Sequence, residues 1–254
     1  MRLFVYILLL VSFSAKAQPS AFYNNLSQDQ IVTAGLVLYL DANKTASYNG
    51  SGNWNNLTGG TNTSLVNSPT FTHSASNGAY FSFTNSATSY ANTNSSFSST
   101  LSGSFTFCAE VKVGTLYSDN DIMGIYNTVG AVSPNYGRVA VLDATASYLQ
   151  SIFFSTTNNV YYQGGTYASG WHYIAWTVNE STNTLVFYLD GVAVSTKTFT
   201  GTIASTDSNI YIGYYPINGD TWDWSCANVQ IYNRALSATE VAQNYNAFHY
   251  QYSH

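Results

Sequence analysis

From Gly35 onward the chain alternates short apolar runs with clusters of Gly, Asn, Ser and Asp. The runs are LVLYLD (36–41), AYFSFT (79–84), SFTFCAEVKV (104–113), IMGIYN (122–127), GRVAVLD (137–143) and YLQSIFFST (148–156). They continue with NVYYQG (159–164), WHYIAWTV (171–178), TLVFYL (184–189), VAVSTKTF (192–199), NIYIGYY (209–215) and ANVQIYN (227–233). Short runs rich in β-branched and aromatic residues, bounded by turn formers, read as strands. In SFTFCAEVKV the period is two: Phe105, Phe107, Ala109, Val111 and Val113 share one face, and Thr106, Cys108, Glu110 and Lys112 the other. Asp190-Gly191 supplies the positive φ pair of a type I′ hairpin. Strands linked by hairpins, with no helical period between them, predict an all-β fold: a two-sheet antiparallel sandwich in one domain.

Two stretches break the pattern. Tyr48 to Thr72 is polar and carries Asn49-Gly50, Gly52-Asn53 and Gly59-Gly60, with Trp54 its one tryptophan and central anchor. Its length makes it either a functional loop or one that contains short strands. At the other end, IYNRALSATEV (231–241) runs from a strand straight into a helix start. Ser237 can cap the amide of Glu240 while Glu240 reaches back to the amide of Ser237, and Leu236 and Val241 occupy the flanking staple positions. That is a structural device, and no catalysis is expected of Glu240.

The N-terminus changes the setting. Arg2, the apolar run Leu3 to Phe13 and Ala15-Lys16-Ala17 form a secretory signal peptide, with cleavage expected after Ala17. The run is too short to span a bilayer, and no later stretch approaches that length. Residues 18–33 read as a leader and 34–254 as the folded domain. Without Arg2 and Lys16 the chain keeps five basic residues against 12 acidic ones. Five scattered cations make no basic patch, which excludes nucleic acid as a partner class. Only 7% of residues are charged while 16% are aromatic, with Tyr alone numbering 22. Such a surface suits neutral hydroxyl-rich partners or packing against copies of itself. Sequons stand at Asn25, Asn43, Asn49, Asn56, Asn62, Asn94 and Asn179.

With the strands in place, NVQIYNRALSATEV resembles the closing signature of the concanavalin A-like jelly-roll superfamily, in its laminin G-like and pentraxin-like branch. The matching elements are Val229, Ile231, Tyr232, Leu236, Ser237 and Glu240. Upstream, SGSFTFCAEVKV, GWHYIAWTVN with VFYLDGV, and GLVLYLDANKTASY resemble further pieces of the same modules, in the same order. The resemblance implies a jelly-roll sandwich with a short C-terminal helix. Within that fold the strands of Cys108 and Cys226 can be neighbours, and export permits a disulfide between them. Pentraxin-like members have a Cys where Cys108 stands, but their partner falls near Ala175 or Trp176, which leaves the pairing open.

The candidate chemistry is sparse. Retaining glucanases of the superfamily use E-x-D-x-E, two carboxylates held close together as nucleophile and acid/base. None of Glu110, Glu180 and Glu240 has an acidic residue two positions away, and the four His lie in no catalytic motif, so no enzyme is expected. The pentraxin-like calcium ligands are replaced by Tyr214, Tyr215 and Pro216. Asp119, Asn120 and Asp121 form an oxygen-rich turn that could hold Ca²⁺, or be an ordinary polar turn; no cofactor is required. YYPINGDTWDW (214–224) gathers Tyr214, Tyr215, Asp220, Trp222 and Trp224, which with Trp54 could stack on and hydrogen-bond a neutral saccharide. The alternative for the tryptophans is to plug the end of the sandwich. A secreted, non-catalytic carbohydrate-binding or adhesion module is therefore expected, with a structural or protein-interaction module as the other reading.

Overall fold

The computed structural model describes residues 30–74, 78–86, 88–97, 99–101, 103–114, 120–126, 138–144, 148–154, 159–202, 209–216, 219–221 and 223–252. In chain order the strands are β1 (Leu36–Asp41), β2 (Ser64–Val66), β3 (Thr70–Ser74), β4 (Gly78–Phe83), β5 (Tyr90–Ser96), β6 (Phe105–Val113), β7 (Asn120–Tyr126) and β8 (Arg138–Ala144). There follow β9 (Tyr148–Phe154), β10 (Asn159–Thr166), β11 (Trp171–Asn179), β12 (Thr184–Leu189), β13 (Val192–Thr198), β14 (Asn209–Ile212), β15 (Tyr214–Tyr215), β16 (Asp220–Thr221) and β17 (Trp224–Tyr232). One helix, α1 (Ala238–Tyr252), closes the order.

Two antiparallel sheets form the sandwich. One runs β13-β12-β11-β6-β17-β4-β3, with β1 also paired to β17; the other runs β10-β9-β8-β7-β14-β5-β2. β15 and β16 make a separate ribbon. Between the sheets lies an apolar layer that includes Leu38, Leu40, Phe81, Phe83, Phe105, Phe107, Trp176, Phe187, Ile210 and Ile231. The expected inner face of β6 is there: Phe105, Phe107, Ala109 and Val111 are buried. So is its other face, since Thr106, Cys108 and Glu110 are buried too.

Helix α1 explains the second burial. Leu236, Val241 and Phe248 pack with Tyr173, Ala175, Tyr188, Tyr232 and Cys108 on the outer face of the eight-stranded sheet. Spacings near 3.6 residues put Val241, Tyr245 and Phe248 on one helix face. Burying a side chain such as Phe248 contributes about 1.5–3 kcal/mol. The helix starts as the sequence requires. The Glu240 amide donates to Ser237 Oγ at 3.3 Å, and the Ser237 amide donates to Glu240 Oε2 at 2.9 Å. Arg234 adds a bidentate pair to Glu240, at 3.0 and 2.6 Å, and donates from Nε to the Ala34 carbonyl. Buried Thr106 pins the intervening turn, donating to the Arg234 carbonyl and accepting from the Leu236 amide, both at 2.9 Å.

Several boundaries shift. The expected leader already belongs to the domain at its end: Val32 is buried, and its amide and carbonyl bond Asn244 and Tyr232. The polar stretch 48–72 contains β2, the start of β3 and a bridge between Trp54 and Thr63. β5 was not expected as a strand. Its sequence YANTNSS is polar, yet Ala91 and Thr93 alternate inward. The Asp190-Gly191 turn has φ of 50° and 77°, as a type I′ hairpin demands. A Cβ on Gly191 would stand 2.8 Å from the Tyr245 ring.

The expected Cys108–Cys226 disulfide is not formed: both thiols are free and buried. The register is irregular between Cys226 and Asn228, where β17 runs past β6. An extra residue at Ala227 flips the alternation, so Asn228 and Gln230 face the helix side while Cys226 and Trp224 join the inter-sheet core. Cys108 lies in the layer under α1, on the opposite face, and pairs in register with Gln230 rather than Cys226. Burial pushes the Cys108 thiol up to about 12.

Candidate functional site

Most of the expected aromatic rim is core. Trp54 is fully buried against Phe81, with ring centroids 4.8 Å apart. Trp224 is 6% exposed and stacks on Phe83 at 5.0 Å and 17°. It also lies on Gly213 (φ +78°), where a Cβ would come within 2.6 Å of the indole nitrogen. Tyr215 is buried against Tyr126, 5.6 Å ring to ring. The expectation that Trp54, Tyr215 and Trp224 offer ring faces to a ligand is thus corrected; as large apolar groups they plug the sandwich instead. Trp222 lies outside the described residues. Asp220 pairs through its backbone with Tyr215, and its side chain is not described.

Among the described members of the named set, Tyr214 alone stays at the surface, and it has company that the sequence did not announce. Its ring stacks on Tyr90 with centroids 4.1 Å apart and planes 9° apart. Tyr211 lies 5.6 Å from Tyr214 and 6.3 Å from Tyr90. All three are half-buried. Tyr211 pairs in register with Asn92, and Asn92 with Ser64, so the three share the outer face of the seven-stranded sheet. Exposed Asn94 donates its amide to the Ser64 hydroxyl. The strands enforce this. Ile210 and Ile212 point into the core, which turns Tyr211 outward, and Ala91 does the same for Tyr90 and Asn92. Burial first, then neighbouring phenols, pushes the Tyr90 and Tyr211 hydroxyls above their usual range, so both are neutral. The alternation in NIYIGYY could have disclosed Tyr211; for Tyr90 the only signal was the Tyr-Ala-Asn-Thr alternation.

Beneath Tyr211 lies buried Tyr126, ring to ring 6.0 Å, and its hydroxyl donates to Asp121 Oδ2 at 3.1 Å. Asp121 is therefore a buried strand residue rather than part of an open turn, since β7 begins at Asn120. Asp119 and the Asn120 side chain lie outside the described residues. Among the described residues no group of three His, Cys, Asp or Glu could hold a metal ion.

A second polar cluster sits on the other sheet. Tyr173 donates to Gln230, and Gln230 to Asn228, at 3.0 and 2.6 Å. Asn228 is the register partner of Glu110, whose carboxyl is pushed well up by burial and then by Asp190. At the hairpin, His172 Nδ1 faces Asp190 Oδ2 and its Nε2 faces the Ala168 carbonyl, each at 2.9 Å. Tyr173 lies within this layer beneath Phe248 of α1, and Trp171 stands edge-on to Tyr80 at 5.2 Å. The cluster's inner members, Glu110, Tyr173, Asn228 and Gln230, are buried, while Asp190 at the hairpin is partly exposed.

A family model described as the concanavalin A-like lectin/glucanases superfamily, of laminin G type, matches residues 85–242. The chain belongs to that superfamily. No curated protein matches it. As a concanavalin A-like domain it is similar in fold to the Trypanosoma rangeli sialidase in complex with sialic acid: TM-score 0.64, 16% identity, 88% of this chain and 35% of that one. It is also similar to the binding domain of Paraclostridial Mosquitocidal Protein 1, at TM-score 0.61 and 14% identity over 84% of this chain and 52% of that one. The botulinum neurotoxin type G receptor binding domain gives 0.59 and 14%, over 84% and 51%. This concanavalin A-like chain spans between a third and half of those proteins, and at such identities the likeness is to their fold.

Proposed function

We propose that the chain is a secreted, non-catalytic carbohydrate-binding or adhesion module, and that Tyr90, Asn92, Asn94, Tyr211, Tyr214 and Ser64 form its contact surface. The observation that supports this reading is the composition of that patch: three half-exposed phenols beside amides and a hydroxyl, all six uncharged. Rings offer apolar area to sugar C–H groups, and amides and hydroxyls match sugar hydroxyls. With no cation of its own, the patch favours a neutral glycan over an acidic one. The superfamily contains lectins, and similar folds occur in a sialidase bound to sialic acid and in toxin binding domains. The three Glu support a non-catalytic role: Glu240 caps α1, Glu110 is buried in the sheet, and Glu180 sits in a turn, its amide on Ser104 Oγ. Export rests on residues 1–17.

The test is a glycan array read with the wild type, Tyr211→Ala and Tyr214→Ala, with and without a calcium chelator. Binding to neutral glycans that both substitutions abolish is the expected result, and absence of binding to any glycan would sink the reading. Loss with chelator would support a Ca²⁺ requirement for binding.

The alternative, a protein-interaction module, is favoured by one observation. Edge strand β13 carries the two exposed large hydrophobics of the described chain, Val192 at 64% and Val194 at 41%. Exposed apolar side chains on the terminal strand of a sheet offer another chain a surface to pack on. Concentration-dependent self-association that Val194→Lys removes would support it.

A further inference from the structure

Among the described tyrosine pairs, Tyr90 and Tyr214 alone are parallel and in contact, at 4.1 Å and 9°. Tyr211 meets Tyr214 at 53° and Tyr90 at 49°; Tyr126 meets Tyr215 at 45° and Tyr173 meets Tyr245 at 51°, all with centroids beyond 5 Å. Both members of the parallel pair are half-exposed, whereas Tyr126, Tyr173, Tyr215 and Tyr232 are buried. A solvent-borne oxidant can therefore reach both rings of this pair. Its rings come from separate elements, β5 and β15, which hold them face to face before any reaction. Such pre-positioning turns a bimolecular radical coupling into an intramolecular one.

We propose that Tyr90 and Tyr214 are a site of intramolecular oxidative cross-linking to dityrosine, with a peroxidase and hydrogen peroxide as the oxidant class. Each phenol gives up one electron and one proton, leaving two tyrosyl radicals. These combine through a carbon–carbon bond between ring positions ortho to the hydroxyls. The ring hydrogens at the new bond then move to the oxygens as aromaticity returns. One hydrogen peroxide takes the two electrons and two protons and becomes two waters. The product lacks two hydrogens and joins the β15–β16 ribbon covalently to the seven-stranded sheet. A stacked pair must turn toward a common plane to bond, and half-exposure leaves both rings room to rotate. The coupling is independent of whether the patch binds glycan.

The experiment treats the dilute full chain with peroxidase and hydrogen peroxide. Expected are a monomer lighter by two hydrogens, dityrosine fluorescence, and a proteolytic fragment that links Tyr90 to Tyr214. Tyr90→Phe and Tyr214→Phe should each abolish all three, while keeping the ring packing and the melting temperature. Tyr80→Phe, whose ring neighbour is Trp171, should retain them. The proposal is overturned if dityrosine forms only between chains, if the linked fragment joins other tyrosines, or if Tyr214→Phe gives the wild-type yield.

Discussion

Val32 and Asn244 are 212 positions apart and share a buried hydrogen bond, the Val32 amide donating to Asn244 Oδ1 at 2.8 Å. Asn244 Nδ2 donates to the Tyr232 hydroxyl, which donates to the Val32 carbonyl, both at 2.9 Å. Asn244→Ala breaks this ring, orphans the buried Val32 amide and leaves the Tyr232 hydroxyl only its bond to the Val32 carbonyl. A loss of about 2 kcal/mol is expected, or roughly 4–8 °C in Tm for a domain of this size. Thermal and urea unfolding will measure it, and an unchanged midpoint would show that the ring contributes nothing.

The Arg234–Glu240 pair predicts acid sensitivity. Arg234 first, with the Ser237 contacts, holds the Glu240 carboxyl at about 2, below its ordinary 4.5. A depressed folded pKa stabilises the fold above the unfolded value, and that contribution is lost as pH falls from 4.5 toward 2. The side chains are 32% and 29% exposed, so solvent screening limits the pair to about 1 kcal/mol. Arg234→Ala should therefore flatten the stability profile below pH 4.5 relative to wild type.

His172 acts in the opposite sense. Its bond to Asp190 raises its pKa above 6.5, with the Ala168 carbonyl helping against partial burial. Only the doubly protonated ring donates to both oxygens. Its stabilisation is complete below pH 6.5 and disappears as pH rises through the folded value. NMR titration of the His172 ring should give a pKa above the free value, and His172→Gln should remove this slope.

Trp224 and Tyr214 separate core from surface. Trp224→Ala should cost about 3–5 kcal/mol, the range for a buried large aromatic. Tyr214→Ala should cost far less and yet abolish glycan binding. Equal destabilisation by the two would place Tyr214 in the core and refute the patch.

The thiols give a redox prediction. Reductant should leave Tm unchanged, and Cys108 and Cys226 should react with a thiol reagent only after unfolding, since both are buried and burial raises both pKa values. A mass lighter by two hydrogens that reductant restores would contradict this.

Most of the sandwich was legible in the chain because strand signals are local. Leu36–Asp41 and Thr184–Leu189 carry their β-branched and aromatic residues within the element itself. The capping box was equally local. What escaped depended on partners far away in sequence. YANTNSS becomes a strand because β14 and β2 pair with it on either side. The disulfide expectation failed because one bulge at Ala227 inverts a phase that periodicity alone carries straight through. Trp54 and Trp224 are loop-like in sequence but core in space, since an indole among turn residues looks the same whether it faces solvent or Phe81 and Phe83.

The register Leu36↔Tyr232 has a mechanical consequence. It sets the start of β1 beside the end of β17, so force applied through the two ends of the described chain enters at one end of this strand pair. Such a load peels the ladder one hydrogen bond at a time, after first rupturing the Asn244 clasp. Load applied instead between α1 and the tyrosine patch crosses the sandwich from one sheet to the other, and leaves that seam closed.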